Sequence, residues 1–310
     1  MSKTERLVIA DEVADALATG TAVVALESTI LAHGLPWDRN LAVGRELERI
    51  VRDAGAVPAT IAVLDGAARI GLDDDALQRV CAPDADLRKL SRRDIGAALA
   101  LGTDGATTVA ATAALAAEAG IAVFATGGLG GVHLAAPEGA VSWDVSADLG
   151  VLAQTPVLVV CSGVKSVLDI GATLEVLETA SVPVLGYGTD VFPAFYLRDS
   201  AYEVPWRVNT PSDAAAVARS HWTCTPGKSG LVLANPIAPE HEMDRALHAM
   251  LLAGGMDLVR SRNVRGKDVT PVLLEHFHTA SEGASLDANE ALVRGNAELA
   301  AQVAVELTKL

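Results

Sequence analysis

Two segments of this sequence place a reactive side chain directly after an apolar run. In Val24-Ala25-Leu26-Glu27-Ser28-Thr29 the run ends in a carboxylate, and in Val159-Val160-Cys161-Ser162-Gly163-Val164-Lys165-Ser166 a lysine follows a few small residues. Ligands of open α/β sheets sit at strand C-termini. A half-buried carboxylic acid there keeps its proton to higher pH and serves as a general acid. The competing reading of Glu27 is a cap on the following turn. A lysine just ahead of a helix opposes the helix dipole. That favours the free amine, the form that attacks a carbonyl-like carbon and builds a Schiff base. The competing reading of Lys165 is an ordinary surface lysine.

Further segments add oxygen ligands and anion seats. Asp144 and Asp148 stand four apart, and on a helix they would share one face. Their hard oxygens suit Mg²⁺ or Mn²⁺ more than Zn²⁺. The competing reading is a helix start made acidic to suit its dipole. Gly105-Ala106-Thr107-Thr108-Val109 and the glycine-rich turn Thr126–Val132 are expected to present backbone N–H groups, a natural seat for phosphate. Lys89, Arg92 and Arg93 form a local basic cluster in an acidic chain. Other motifs fail. The glycine-rich turn puts His133 where a dinucleotide fingerprint needs its third glycine. Gly227-Lys228-Ser229 lacks the P-loop glycine, because Trp222 holds that position, and His241-Glu242 is followed by Arg245 where a metalloprotease needs its second histidine.

These residues need a scaffold, and the apolar pattern supplies one. Ala22–Leu26, Thr60–Leu64, Ile121–Ala125, Val157–Cys161, Val182–Gly186 and Gly230–Ala234 are Val-, Ile- and Leu-rich without strict alternation, as strands covered on both faces are. Helical patterns fall near 38–54, 92–101, 108–119, 166–180, 212–222, 239–253, 269–281 and 286–308. Such alternation predicts a layered α/β fold with some antiparallel pairing, in one domain spanning 1–310. Asp65-Gly66 predicts a hairpin turn, and Ser91 with Asp94 predicts a capping box.

Composition narrows the function. The 310 residues carry 24 Lys plus Arg against 39 Asp plus Glu, a net charge of −15. That excludes a nucleic-acid backbone binder, whose affinity comes from neutralising phosphates. Aromatic residues are 4% of the chain, too few for a base-stacking platform. Cys81, Cys161 and Cys224 are sparse, odd in number and far apart, unlike a secreted disulfide framework. The charged Met1–Arg6 has no apolar stretch of signal-peptide type behind it, and no run reaches the length of a membrane span. A cytoplasmic protein with a small-molecule substrate is expected.

With these residues in view, the chain resembles the pseudouridine-5′-phosphate glycosidase family, also called pseudouridylate synthase or indigoidine-synthase-A-like proteins. The resemblance runs from about residue 8 to the C-terminus. It lies in VALESTILAHGLP (24–36), GAVPATIAVLDG (55–66), LSRRD (90–94), GATTVAAT (105–112), FATGGLGGVH (124–133), DVSADL (144–149), VVCSGVKSVLDI (159–170), VPVLGYGTD (182–190), PAFY (193–196), LANPI (233–237) and RGKDVTPVLL (265–274). It implies reversible cleavage of pseudouridine 5′-phosphate to uracil and ribose 5-phosphate. Matched motif by motif, Lys165 is the implied nucleophile, Glu27 the proton donor and Asp144 the ligand of a divalent metal, Mn²⁺. Lys89, Val109, Ser146, Ala147 and Asp148 are implied substrate contacts, with His133 and Asn289 in matching blocks. A three-layer α/β/α sandwich around a mostly parallel, mixed sheet and a homotrimer are also implied. Leu134 departs from the family pattern, which has a basic residue there, and 134–143 is longer than usual. Two rivals remain: an aldolase-like lyase with a covalent lysine, and a non-enzymatic binder of nucleotides or sugar phosphates.

Overall fold

The computed structural model describes residues 6–134, 143–165, 167–262, 264 and 269–310. Most of the quoted insertion 134–143, Ser166, the Arg265–Asp268 part of RGKDVTPVLL and the first five residues lie outside that set. The expected strands are present as β2 (Val23–Leu26), β3 (Val57–Leu64), β7 (Val123–Ala125), β9 (Leu158–Cys161), β11 (Val184–Tyr187) and β13 (Leu231–Ala234). Shorter strands join them: β1 (Leu7–Ile9), β4 (Ala67–Ile70), β5 (Arg88–Leu90), β6 (Gly105–Thr107) and β12 (Trp206–Val208). Together they form one sheet in the order β1-β4-β3-β2-β7-β9-β13-β11-β12, with β6 bridging β3 and β5. From β3 to β12 every neighbour along this order is parallel. β3 runs antiparallel to β4 and β6, so the sheet is mixed as expected.

The central parallel strands are buried along their whole length; every residue of β2, β7, β9 and β13 is buried. Helices therefore cover both faces, and their long apolar runs need no alternation. The helix Ala284–Thr308 lies against β2, β7 and β9, while Val109–Ala119 lies against β2, β3, β4 and β6. No described helix is long and apolar enough to cross a membrane.

Local chemistry accounts for the boundaries. Asp65 and Gly66 both take positive φ, 55° and 72°, between the antiparallel β3 and β4. This is the backbone of a tight hairpin, which Asp-Gly tolerates. Ser91 and Asp94 stand at the expected capping-box positions at the start of Arg92–Leu101, where the Asp94 carboxylate accepts the Ser91 N–H at 2.9 Å. Where the pattern near 166–180 predicts one helix, the helix is Ile170–Thr179, preceded by β10 (Leu168–Asp169). β10 pairs with β8 (Val132–His133), so these residues are held in a two-stranded ribbon outside the main sheet. The pattern near 239–253 divides into a 3-10 turn, Pro239–His241, and a helix, Arg245–Ser261, whose Asp244 cap accepts from the Leu247 N–H.

The parallel order has a direct consequence for the site. Glu27, Thr126, Ser162 and Asn235 are the residues that follow the last residues of β2, β7, β9 and β13. These strands are adjacent and point the same way, so one edge of the sheet collects all four turns.

Candidate active site

A cavity of about 610 Å³ opens at that edge. Glu27, Lys89, Val109, His133, Asp144, Ser146, Ala147, Asp148 and Lys165 all line it. A smaller lobe of about 60 Å³ shares Glu27, Lys89 and Lys165 with the main cavity and adds Asn289, His33 and Phe195. The fold thus brings every residue to which the resemblance assigns a catalytic, metal or substrate role to one cavity or its side lobe.

Glu27 is buried at the end of β2. Burial pushes its carboxyl above the usual range; Lys165, the Thr126 hydroxyl and Lys89 pull the other way, and Asp148 adds to the rise. Desolvation is the largest of these, so the protonated acid persists to higher pH than an exposed glutamate would hold it. Thr126 Oγ1 donates to Glu27 Oε1 and fixes the carboxyl in place. The next residue, Ser28, ties the turn down. Its hydroxyl donates to the Ile61 carbonyl at 2.7 Å and accepts the Thr107 N–H at 2.8 Å.

Lys165 stands where the sequence predicts, in the turn after β9, but not at a helix start. The helix begins at Ile170, beyond β10. The expected conflict with a helix dipole is therefore absent, because that field is confined to the first turn. The backbone holds Lys165 by donation from its N–H to the Leu129 carbonyl at 3.1 Å and by acceptance from the Leu168 N–H at 3.0 Å. Gly163 makes the turn possible. Its φ is 83°, and a Cβ there would sit 2.0 Å from the Pro193 carbonyl oxygen.

Asp144 and Asp148 do not share a helix face. The helix Ala147–Leu152 starts after Asp144, with Ser146 as its cap. The Asp148 carboxylate turns inward and accepts from the Ala110 N–H at 2.9 Å and the Gly130 N–H at 2.8 Å. It bridges the glycine-rich turn to the start of Val109–Ala119. Both expected phosphate seats are thereby partly filled from within the protein. In the first seat, Thr108 accepts from Ala111 while Asp148 takes Ala110. In the glycine-rich turn, Thr126 N–H goes to Val160, Leu129 N–H to Gly163 and Gly130 N–H to Asp148. Asp148→Asn would set an NH₂ group against one of these N–H donors. An orphaned buried donor costs about 1–3 kcal/mol, so the expected result is a melting temperature lowered by several degrees; an unchanged one in a thermal scan would show that Asp148 is no clamp.

The basic cluster separates by direction. Lys89 and Arg93 line the cavity, whereas Arg92 reaches Gln154 on the exposed side at 3.2 Å. His133 is half-buried beside Asp144. Burial lowers its pKa most, Asp144 opposes this, and Lys165 and Lys89 lower it further. His33, in the side lobe, is likewise lowered, by burial and then by Lys89. Both imidazoles are held toward the neutral form.

Sequence reasoning did not single out Thr126 as the partner of Glu27, or His33, Phe195 and Asn296. Asn289, Val293, Asn296 and Ala300 recur at helical spacing and are all buried. Two amides on an otherwise apolar stripe are the signal that could have found Asn296. Among the described residues no group of three His, Cys, Asp or Glu side chains could enclose a metal ion.

The class comes first from this geometry: an α/β protein with its pocket at the C-terminal edge of a mostly parallel sheet. The chain belongs to the indigoidine synthase A-like family, whose model matches residues 12–306. It is 58% identical over 294 residues to a pseudouridine-5′-phosphate glycosidase of Streptomyces griseus, covering 95% of this chain and 90% of the relative. It is 56% identical to a protein of the same name from Salinispora tropica, with the same coverage. Among solved structures it resembles the prealnumycin C-glycosynthase AlnA in complex with ribulose 5-phosphate, with a TM-score of 0.89 and 37% identity over 98% of both chains. An indigoidine synthase A-like protein of Thermotoga maritima has a TM-score of 0.86 and 32% identity, covering 98% of this chain and 97% of its own.

Proposed function

We propose that this chain cleaves the carbon–carbon glycosidic bond of pseudouridine 5′-phosphate with water, giving uracil and ribose 5-phosphate, and that the reaction is reversible. The observation that carries this reading is the meeting of a buried acid, Glu27, and an amine, Lys165, in one cavity whose relatives carry the glycosidase name. Lys89, Arg93, Ser146 and Thr108 supply the cations and hydroxyls suited to the phosphate. The side lobe beside Asn289 takes the base.

A C-glycoside poses a particular problem. Direct departure would leave a carbanion at C5 of uracil. In the proposed sequence Glu27 gives its proton to the ring oxygen as the Lys165 amine attacks C1′, and the C1′–O4′ bond breaks to give an open-chain secondary amine. The proton that the new secondary ammonium loses is taken up by the Glu27 carboxylate and delivered to C5 of the base. The nitrogen lone pair forms C=N as the C1′–C5 bond breaks, and uracil leaves. Water adds to the iminium carbon and releases ribose 5-phosphate and the free amine.

A divalent ion, Mn²⁺, is part of the proposal. Asp144 would hold it, with His133 alongside. One carboxylate suits a hard cation that keeps most of its waters and shares the substrate phosphate. When bound it would screen phosphate charge and orient substrate oxygens. We also assign the chain to the cytoplasm and to a homotrimer, which light scattering after gel filtration would test.

Incubation with pseudouridine 5′-phosphate and Mn²⁺, then borohydride reduction and intact mass, tests the reaction. Uracil release with a ribose-phosphate adduct on Lys165 is expected. An adduct from ribose 5-phosphate without uracil release would point to a different Schiff-base enzyme. Neither signal from folded protein would leave a binding protein.

A further inference from the structure

We propose that Asn296 is a positioning residue that sets Glu27 and Lys165 in register with each other. It belongs to the helix Ala284–Thr308 and has no exposed surface. Its amide nitrogen donates to the Thr126 carbonyl at 2.8 Å, to the Gly127 carbonyl at 3.3 Å and to Ser162 Oγ at 3.1 Å. Its amide oxygen accepts from Asn235 Nδ2 at 3.0 Å. Carbonyl oxygens only accept, so the NH₂ must face Thr126 and Gly127, and the orientation is fixed. One side chain thus pins the turns after β7, β9 and β13.

Each pinned turn leads to the reacting pair. Thr126 holds the Glu27 carboxyl through its hydroxyl. Ser162 begins the turn that carries Lys165. The two turns are also laced together: Ser162 N–H to Gly127, Leu129 N–H to Gly163 and Lys165 N–H to Leu129, at 2.9, 2.9 and 3.1 Å. Asn296 fastens the beginning of both. A leucine would fill this place on the helix stripe, and a buried amide is tolerated only when bonded. Its bonds to three strand ends are the reason for an amide here. Asn235, in the LANPI block, acquires a role as well, since it orients the Asn296 oxygen.

This inference rests on the proposed reaction for its main readout, uracil release. Asn296→Asp has nearly the same shape but no N–H for the two carbonyl oxygens. Misplacement of catalytic groups costs up to about 100-fold, so kcat is expected to fall about 10- to 100-fold with KM within about threefold. The alkaline limb of the pH–rate profile should move upward. Lys165, Lys89 and Asp148 also face Glu27, but the Thr126 hydroxyl that lowers its pKa is the partner set loose. Asn235→Ala leaves Asn296 in place and should give the same pattern at about three- to tenfold, which covers the case in which the aspartate variant fails to fold. A merely structural residue would lower the melting temperature while kcat per folded subunit and the pH limb stayed unchanged in both variants, and that result would overturn the proposal. Wild-type protein run alongside tests the reaction itself. If it releases no uracil, the rate of borohydride trapping of ribose 5-phosphate on Lys165 replaces kcat; the same tenfold fall supports the positioning role and an unchanged rate overturns it.

Discussion

Lys165→Met is expected to lower uracil release by about 10⁴-fold or more, the scale on which loss of a covalent nucleophile acts. Borohydride trapping should give no adduct on the variant. The fold should survive, because the bonds that fix this turn, from Lys165 N–H to Leu129 and from Leu168 N–H to Lys165, are made by the backbone. Lys165→Arg should be as inactive as the methionine variant. A guanidinium keeps its charge at all working pH values and offers no free amine. That pair of results separates a nucleophile from a cation that merely binds phosphate, since arginine would serve the second role. Near-normal turnover in either variant would end the covalent mechanism.

Glu27→Gln should cost about 10²- to 10⁴-fold in kcat, the usual weight of a general acid. The glutamine still offers an oxygen to the Thr126 hydroxyl, so the loss reports the proton rather than the geometry. Activity of the natural protein should fall as pH rises through the raised pKa of Glu27, because only the protonated form donates. In the variant that limb should vanish. Stability of the natural chain should fall over the same window. A carboxyl whose pKa is raised in the folded state favours folding fully below its ordinary value near 4.5 and loses that contribution as pH rises through the folded value. The glutamine carries no charge to bury, so above that window the variant should melt higher than the natural chain. A variant that keeps the alkaline limb, or that melts lower at pH 8, would show that Glu27 is not the buried acid described above.

The sequence pattern located the strands that carry chemistry because each is an uninterrupted apolar run with a polar residue behind it. β2 with Glu27 and β9 with Lys165 are the two examples. It located the Asp65-Gly66 hairpin and the Ser91 capping box for the same kind of reason, since each rests on a local rule. Strands of two or three residues, such as β5, β6 and β8, carry no periodicity to detect, and they form because neighbours pair with them. The helices Asp11–Thr19 and Asp74–Cys81 also went unassigned, although Asp73 caps the second by accepting from Ala76. The local reading misjudged Asp148. Its spacing from Asp144 suggested a shared face, whereas its carboxylate serves two backbone N–H groups from distant segments. The dipole argument for Lys165 failed similarly, because β10 separates it from the helix. Its arrival beside Glu27 follows instead from strand order, which no local pattern records.

That strand order also sets a timetable. β2 lies near the beginning of the chain, β9 near its middle and Asn296 in the final helix, yet all three meet at one sheet edge. A chain still emerging from the ribosome would display Glu27, and later Lys165, without the helix that fastens their turns. The amine and the acid would come into working alignment only once the helix Ala284–Thr308 had been made and had docked on the sheet.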